Sequence, residues 1–227
     1  MSGHSKWATT HRQKEVKDAK RGAAFTKLAA NITVAVRQGG GVGDSNQNFR
    51  LRLAMDKARE ANMPKENIQR AIDKGTGAAG SGSLEEARFE GFLPGGAAIM
   101  VDILSDNKLR TQQQVRLFLE KGGGTMGSHG SVSYLFENVG EIITTANELV
   151  AIDCGAIDVE SSEGKMRVIT KHEELFKVKE ELEKNGLKIE SAELIMKPIS
   201  TVSGENDELI EKIEEIDEVV NVWTNYA

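Results

Sequence analysis

The stretch EIITTANELVAIDCGAIDVESSEGKMRVITKHEELFKVKEELEKNGLKIESAELIMKP, residues 141–198, decides the fold. EIITT (141–145) has the β-branched composition of a strand, and NELVAID (147–153) reads as a short helix. AIDVES (156–161) and KMRVITK (165–171) form an expected hairpin around Ser162-Glu163-Gly164. HEELFKVKEELEKN (172–185) carries Leu175, Phe176, Val178 and Leu182 at helical spacing, and KIESAELIMKP (188–198) supplies a last strand. The order β-α-β-β-α-β is that of a ferredoxin-like unit, complete within 139–199.

Working outward, RFEGF (88–92) and AAIMVDIL (97–104) are strand-like runs joined by an LPGG turn. A helix is expected over about 109–121, with Val115, Leu117, Phe118 and Leu119 apolar, stopping at the glycines 122–124. SVSYLFE (131–137) reads as a strand. Beyond the ferredoxin-like unit come a helix at 205–216, with Leu209, Ile210, Ile213 and Ile216 inward, and a strand VVNVWTNY (219–226). Because 139–199 is complete by itself, this tail is expected to rejoin the sheet begun at 88–137.

The N-terminal third is helical in period. Phe25, Leu28, Ile32 and Val36 line one face of a first helix that stops at Gly39-Gly40-Gly41. Leu51, Ala54, Met55 and Ala58 line a second. A third, with Ile68, Ala71 and Ile72 inward, is bracketed by Pro64 at its first position and Gly75 just past its end. GTGAAGSGS (75–83) reads as a flexible linker. The chain is thus expected to be α+β: a basic helical bundle (1–78), an α+β domain (79–138 and 200–227), and the ferredoxin-like domain (139–199) inserted into it.

Charge divides along the same line. The 227 residues carry a formal charge of −6, yet residues 1–74 hold 15 Lys and Arg against 7 Asp and Glu, a balance of +8. The remainder holds 14 against 28, a balance of −14. A basic lobe on an acidic body points to nucleic acid as the partner of the lobe. Lys6, Arg12, Lys14, Lys17, Lys20, Arg21 and Lys27 form its densest run. Cations of this kind gain affinity by releasing the counterions condensed on phosphates. Trp7, among them, is suited either to stacking on an unpaired base or to plugging the bundle core. Arg37, Arg50, Arg52 and Arg59 extend the surface or pair with Asp56 and Glu60. The acidic body is repelled by phosphate and suits a basic protein partner, such as a ribosomal protein.

Other chemistries find no support. Cys154 stands alone, so neither an internal disulfide nor a Cys-rich zinc site is available. His4 and His11 lack Cys or acidic company for a metal, and no spacing pairs Cys154 with His129 or His172 as a nucleophile. GGGVGD (39–44) lacks the GK[ST] ending of a phosphate-binding loop and follows a helix rather than a strand, so it reads as a mobile connection. The expectation is a protein that is not an enzyme, with no cofactor and no metal. No apolar run approaches the roughly 18 residues of a membrane span, and the N-terminus has no hydrophobic leader. A cytoplasmic protein is expected; oligomeric state leaves no mark on the sequence.

GHSKWA (3–8), DAKRG (18–22), FTKL (25–28) and RLAMDKAREANMPKENIQRAIDKGTG (52–77) closely resemble the N-terminal signature of the YebC family of "probable transcriptional regulatory proteins". The resemblance continues through FEGFLPGGAAIMV (89–101), SDNKLRT (105–111), GSVSYLF (130–136), SAEL (191–194) and VVNVWTNY (219–226). It departs at Phe92-Leu93, where the family has Tyr-Gly, and at Trp223-Thr224-Asn225, where it has Tyr-His-Asn. The resemblance implies the YebC-like fold, a helical bundle plus two α+β domains with the ferredoxin-like one inserted. It also implies a nucleic-acid contact through the helical domain. Bacterial members are described as DNA-binding transcriptional regulators, whereas a mitochondrial relative activates translation of cytochrome c oxidase subunit I and others are linked to the ribosome. Two functions follow as expectations: a DNA-binding regulator, and a translation factor that binds ribosomal RNA.

Overall fold

The computed structural model describes residues 22, 24–78, 84–145, 147–162, 165–203 and 206–226. Seven helices and two four-stranded sheets are built from them. The helices are α1 (24–38), α2 (Phe49–Glu60), α3 (Lys65–Thr76), α4 (Lys108–Lys121), α5 (Glu148–Asp153), α6 (Leu175–Lys184) and α7 (Asp207–Glu214). The strands are β1 (Glu85–Phe92), β2 (Ala98–Ser105), β3 (Thr125–Met126), β4 (Phe136–Thr145), β5 (Asp158–Ser162), β6 (Lys165–Lys171), β7 (Ile189–Pro198) and β8 (Val219–Thr224). Two compact units result, one containing the N-terminal helices up to Ala87 with Asp102–Phe118 and Asp207–Val222, the other Arg88–Val101, Leu119–Asn206 and Trp223–Ala227.

The stripes read from the sequence bury as helix periodicity requires. Leu28, Ile32 and Val36 of α1 meet Leu51 and Ala58 of α2 and Ile68, Ala71 and Ile72 of α3 in one cluster. A polar tie supplements it. The buried Thr33 hydroxyl donates to the Ala71 carbonyl at 3.0 Å, holding α1 to α3. The third helix runs further than expected, however. Pro64 is its N-cap rather than its first residue, Gly75 lies inside it, and Gly77 is the left-handed stop at φ 81°. Gly75 is there for close approach. A Cβ on it would stand 2.7 Å from Val36 Cβ, so glycine is what lets α3 lie against α1. Nor does the 39–48 connection lack ties. Asn48 caps α2 through the Leu51 N–H, and its amide donates to the carbonyls of Ala35 and Val42 at 3.0 and 3.1 Å.

The first sheet has the order β3-β1-β2-β8, so the C-terminal strand does rejoin the sheet begun at 85–105. The second has the order β5-β6-β4-β7, the ferredoxin-like arrangement, with Ile142 opposite Val168 and Ala192 across neighbouring strands. Leu175, Val178 and Leu182 of α6 and Ala151 of α5 are buried with Ile142, Met166 and Val168 of this sheet. On the other face Arg167 pairs with Glu141 and with Glu160, while Val139, Ile169 and Ile195 pack with Trp223. The ferredoxin-like unit is thus inserted between the third and last strands of the first sheet.

One expected strand is absent. In SVSYLFE, Ser133–Leu135 is a turn of 3-10 helix and the strand begins only at Phe136. The cause is Glu90, whose side chain is fully buried. Its carboxylate accepts the N–H groups of Gly130, Val132 and Ser133 at 2.8, 2.8 and 3.0 Å, which removes them from any ladder.

Candidate nucleic-acid interface

Of the twelve residues assigned to the interface from sequence, Lys6, Trp7, Arg12, Lys14, Lys17, Lys20 and Arg21 lie outside the described residues. The other five lie on α1 and α2. Lys27 is half-buried on α1, beside the buried Leu28. Such a position allows its aliphatic stem to lie along the helix while the ammonium stays in water.

The four arginines differ in what holds them. Arg37, at the end of α1, donates to the Leu84 carbonyl. Arg52 donates from Nε to the Ser45 carbonyl at 3.0 Å and from Nη2 to that of Asn46 at 3.4 Å, bracing the turn before α2. Both guanidiniums are therefore used at least partly on the chain's own backbone. Arg50 donates to Gln38 Oε1 at 3.0 Å and its guanidinium lies 5.9 Å from the Phe49 ring centroid. Burial lowers its pKa from the ordinary value. Arg59 is exposed and pairs with Asp56 at 3.0 Å. An exposed pair of this kind is weak, about 0–1 kcal/mol.

Beside these helices lies a groove of about 840 Å³ that the sequence did not suggest. Phe25, Ala29 and Thr33 of α1 line it, with Arg70 and Lys74 of α3 and Arg110 of α4. Asp106, Asp217 and Glu218 contribute negative charge to the same rim. Arg110 Nη2 reaches Glu218 at 2.6 Å and Asp106 at 2.8 Å, so this cation is largely neutralised in place. The turn that presents it is built by the SDNKLRT run. Asn107 Oδ1 accepts the Arg110 N–H, Ser105 Oγ accepts the Asn107 N–H, and the buried Ser105 and Thr111 hydroxyls bond to each other at 2.8 Å. Among the described residues no His, Cys, Asp or Glu cluster fit for a metal ion occurs, and no helix is long and apolar enough to cross a membrane.

Comparison with known proteins covers the same length. Residues 5–78 match the family domain described as "TACO1/YebC protein N-terminal domain", and residues 84–226 match "TACO1/YebC second and third domain". A "Probable transcriptional regulatory protein" of Rubrobacter xylanophilus is 45% identical over 240 residues, covering 100% of this chain and 95% of its own. A protein of the same description from Burkholderia thailandensis is 45% identical over 238 residues, covering 99% and 98%. The crystal structure of a conserved hypothetical protein from Aquifex aeolicus superposes with a TM-score of 0.82 at 42% identity, covering 92% of this chain and 91% of that one.

Proposed function

This chain belongs to the TACO1/YebC family, and we propose that it is a non-enzymatic, cytoplasmic, DNA-binding regulator of transcription. It grips the phosphate backbone through the basic N-terminal lobe. The observation that carries this reading is the charge split, +8 over residues 1–74 against −14 over the rest. The naming of its relatives as probable transcriptional regulatory proteins agrees with it. In this reading Lys6, Arg12, Lys14, Lys17, Lys20, Arg21 and Lys27 meet phosphates, Trp7 stacks or seats the segment, and Arg50 and Arg59 extend the contact. Arg37 and Arg52 mainly hold the lobe's shape, given their bonds to backbone carbonyls.

Phosphate contacts fix position without reading sequence, and none of the candidate side chains forms an evident base-reading set. That observation favours a second reading, in which the same lobe binds structured ribosomal RNA and the acidic domains meet basic ribosomal proteins. Crosslinking in growing cells, with sequencing of the DNA and the RNA recovered, separates the two. Recovery concentrated at a few promoters supports the regulator. Recovery concentrated in ribosomal RNA replaces it with the translation factor. Charge reversal at Lys14, Lys17 and Lys20 together is expected to abolish recovery of either, and an undiminished yield would place the grip elsewhere.

A further inference from the structure

Between Arg88 and Lys165 the sequence contains four Lys or Arg, and all four, Lys108, Arg110, Arg116 and Lys121, lie on α4. The same interval holds eleven Asp or Glu, of which α4 carries Glu120 alone. A basic helix in so acidic a surrounding is not explained by helix stability. Its first turn contains no acid, and Lys108 sits there against the macrodipole, which favours anions at that end. The buried side of α4 is Thr111, Val115 and Leu119. Its outward ridge is Leu109, Gln113 and Leu117 at four-residue steps, with Leu109 70% and Leu117 48% exposed.

We propose that this outward face of α4 is a second nucleic-acid contact, with Lys108 and Arg116 on backbone phosphates and the exposed amide of Gln113 and the Leu109 and Leu117 side chains against sugar and base edges. The proposal rests on the nucleic-acid reading above. Phosphate is favoured as the partner for three reasons. The cations have no acid among them from 108 to 119. They span about 12 Å of helix axis at 1.5 Å per residue, room for several phosphates at one per about 3.4 Å of each strand. Residues 102–118 also belong to the same compact unit as the N-terminal helices. The groove described above is lined by both α3, through Arg70 and Lys74, and α4, through Arg110. Arg110 itself is committed to Asp106 and Glu218, so it positions the turn while Lys108 and Arg116 supply the charge.

The test uses the full chain and two fluorescein-labelled probes, a single-stranded 24-nucleotide RNA and a 24-base-pair DNA duplex, with affinity read by anisotropy at several salt concentrations. Both positions of the double variant Lys108→Gln/Arg116→Gln are exposed, and an unchanged melting curve checks its fold. A shallower dependence of log affinity on log salt is expected, by about 1.4 for the RNA or about 1.8 for the duplex, two contacts at 0.7 or 0.9 each. The matched variant Lys177→Gln/Lys184→Gln on α6 is expected to leave that slope unchanged. An equal fall in the α6 variant overturns the proposal by making the effect one of net charge. So does an unchanged slope in the α4 variant while wild type binds. Displacement of the probe by poly-L-glutamate of equal charge at equal concentration also overturns it, in favour of an acidic protein partner. Failure of wild type to bind either probe removes the parent reading together with this one.

Discussion

The Glu90 carboxylate accepts the Val132 N–H at 2.8 Å across 42 residues of sequence, and the Ser133 N–H falls on the same oxygen at 3.0 Å. With Gly130 on the other oxygen, a single buried acid organises the loop that leads from β3 into β4.

Replacing Glu90 by Gln puts a donor where one of these acceptors stood and leaves at least one of the three N–H groups without its partner. A loss of about 1–3 kcal/mol is expected in urea denaturation. A pH signature accompanies it. Burial raises the Glu90 carboxyl, but the N–H donors of Val132, Gly130 and Ser133, with His129 nearby, outweigh burial and leave it below its ordinary value of 4.5. A depressed carboxyl stabilises the fold above its unfolded-state pKa and loses that contribution as pH falls through the folded value. Wild type is therefore expected to lose stability more steeply than Glu90→Gln as pH drops below about 4.5. Parallel pH profiles would remove Glu90 as the titrating clamp.

How much of this is legible in the sequence depends on how far each feature's cause lies along the chain. The stripe Leu28-Ile32-Val36 and the hairpin at 158–171 are local periodicities, and both are readable. The turn at Ser133–Leu135 is not, because β-like side chains there are overruled by Glu90, more than forty residues away. The glycine at position 75 reads as a helix stop because the signal for a stop and for close packing is the same residue. The two-residue strand β3 pairs with Gly91 and Phe92 and carries too little pattern to be seen. At the candidate interface the cations are readable and their partners are not. Nothing near Arg37 announces Leu84, nor anything near Arg110 that Glu218 will face it.

Gly75 and Gly77 separate the two uses of glycine by experiment. Gly75→Ala gains about 1 kcal/mol of helix propensity but drives a Cβ to 2.7 Å from Val36 Cβ, and overpacking of this kind costs about 1–3 kcal/mol. Combining it with Val36→Gly removes both the Cβ and the Cγ1 that the new methyl would meet, so the double variant is expected to lose less than the sum of the singles. Gly77→Ala suffers instead from its left-handed backbone, φ 81°, at about 1–2 kcal/mol, and Val36→Gly should not rescue it. Thermal melts of the wild type, the singles and the doubles decide the matter, and strict additivity at Gly75 would contradict the close-approach account.

Arg52 and Arg59 are expected to part company when each becomes Gln. Arg52→Gln loses two bonds to carbonyls at the α2 entrance and should cost about 1 kcal/mol. Arg59→Gln gives up an exposed pair and should cost well under about 1 kcal/mol. In duplex binding the order reverses. Loss of a phosphate contact at Arg59 lowers the salt slope by about 0.9, whereas Arg52→Gln leaves it close to wild type. A wild-type slope in Arg59→Gln would take that residue out of the interface.

Asn225, two residues past the departure at Trp223, is nearly sealed from solvent, and its Oδ1 accepts the buried Ala98 N–H at 2.7 Å. Its backbone continues the tie by donating to Ala98 O at 3.3 Å and accepting from Val202 N at 2.8 Å. Asn225→Ala orphans the Ala98 N–H in the core and is expected to cost about 1–3 kcal/mol at every pH. Asn225→Asp keeps the acceptor but buries a carboxyl, whose pKa desolvation raises. A raised carboxyl pKa means that the folded state binds the proton more tightly, so this acidic variant recovers stability as pH falls through its folded pKa. Near neutral pH it is expected to be the less stable of the two, and in mild acid the more stable. Chemical denaturation of both variants at pH 5 and pH 7.5 reads the crossing directly. Curves that fail to converge on acidification would mean that the introduced carboxylate finds donors beyond the Ala98 amide.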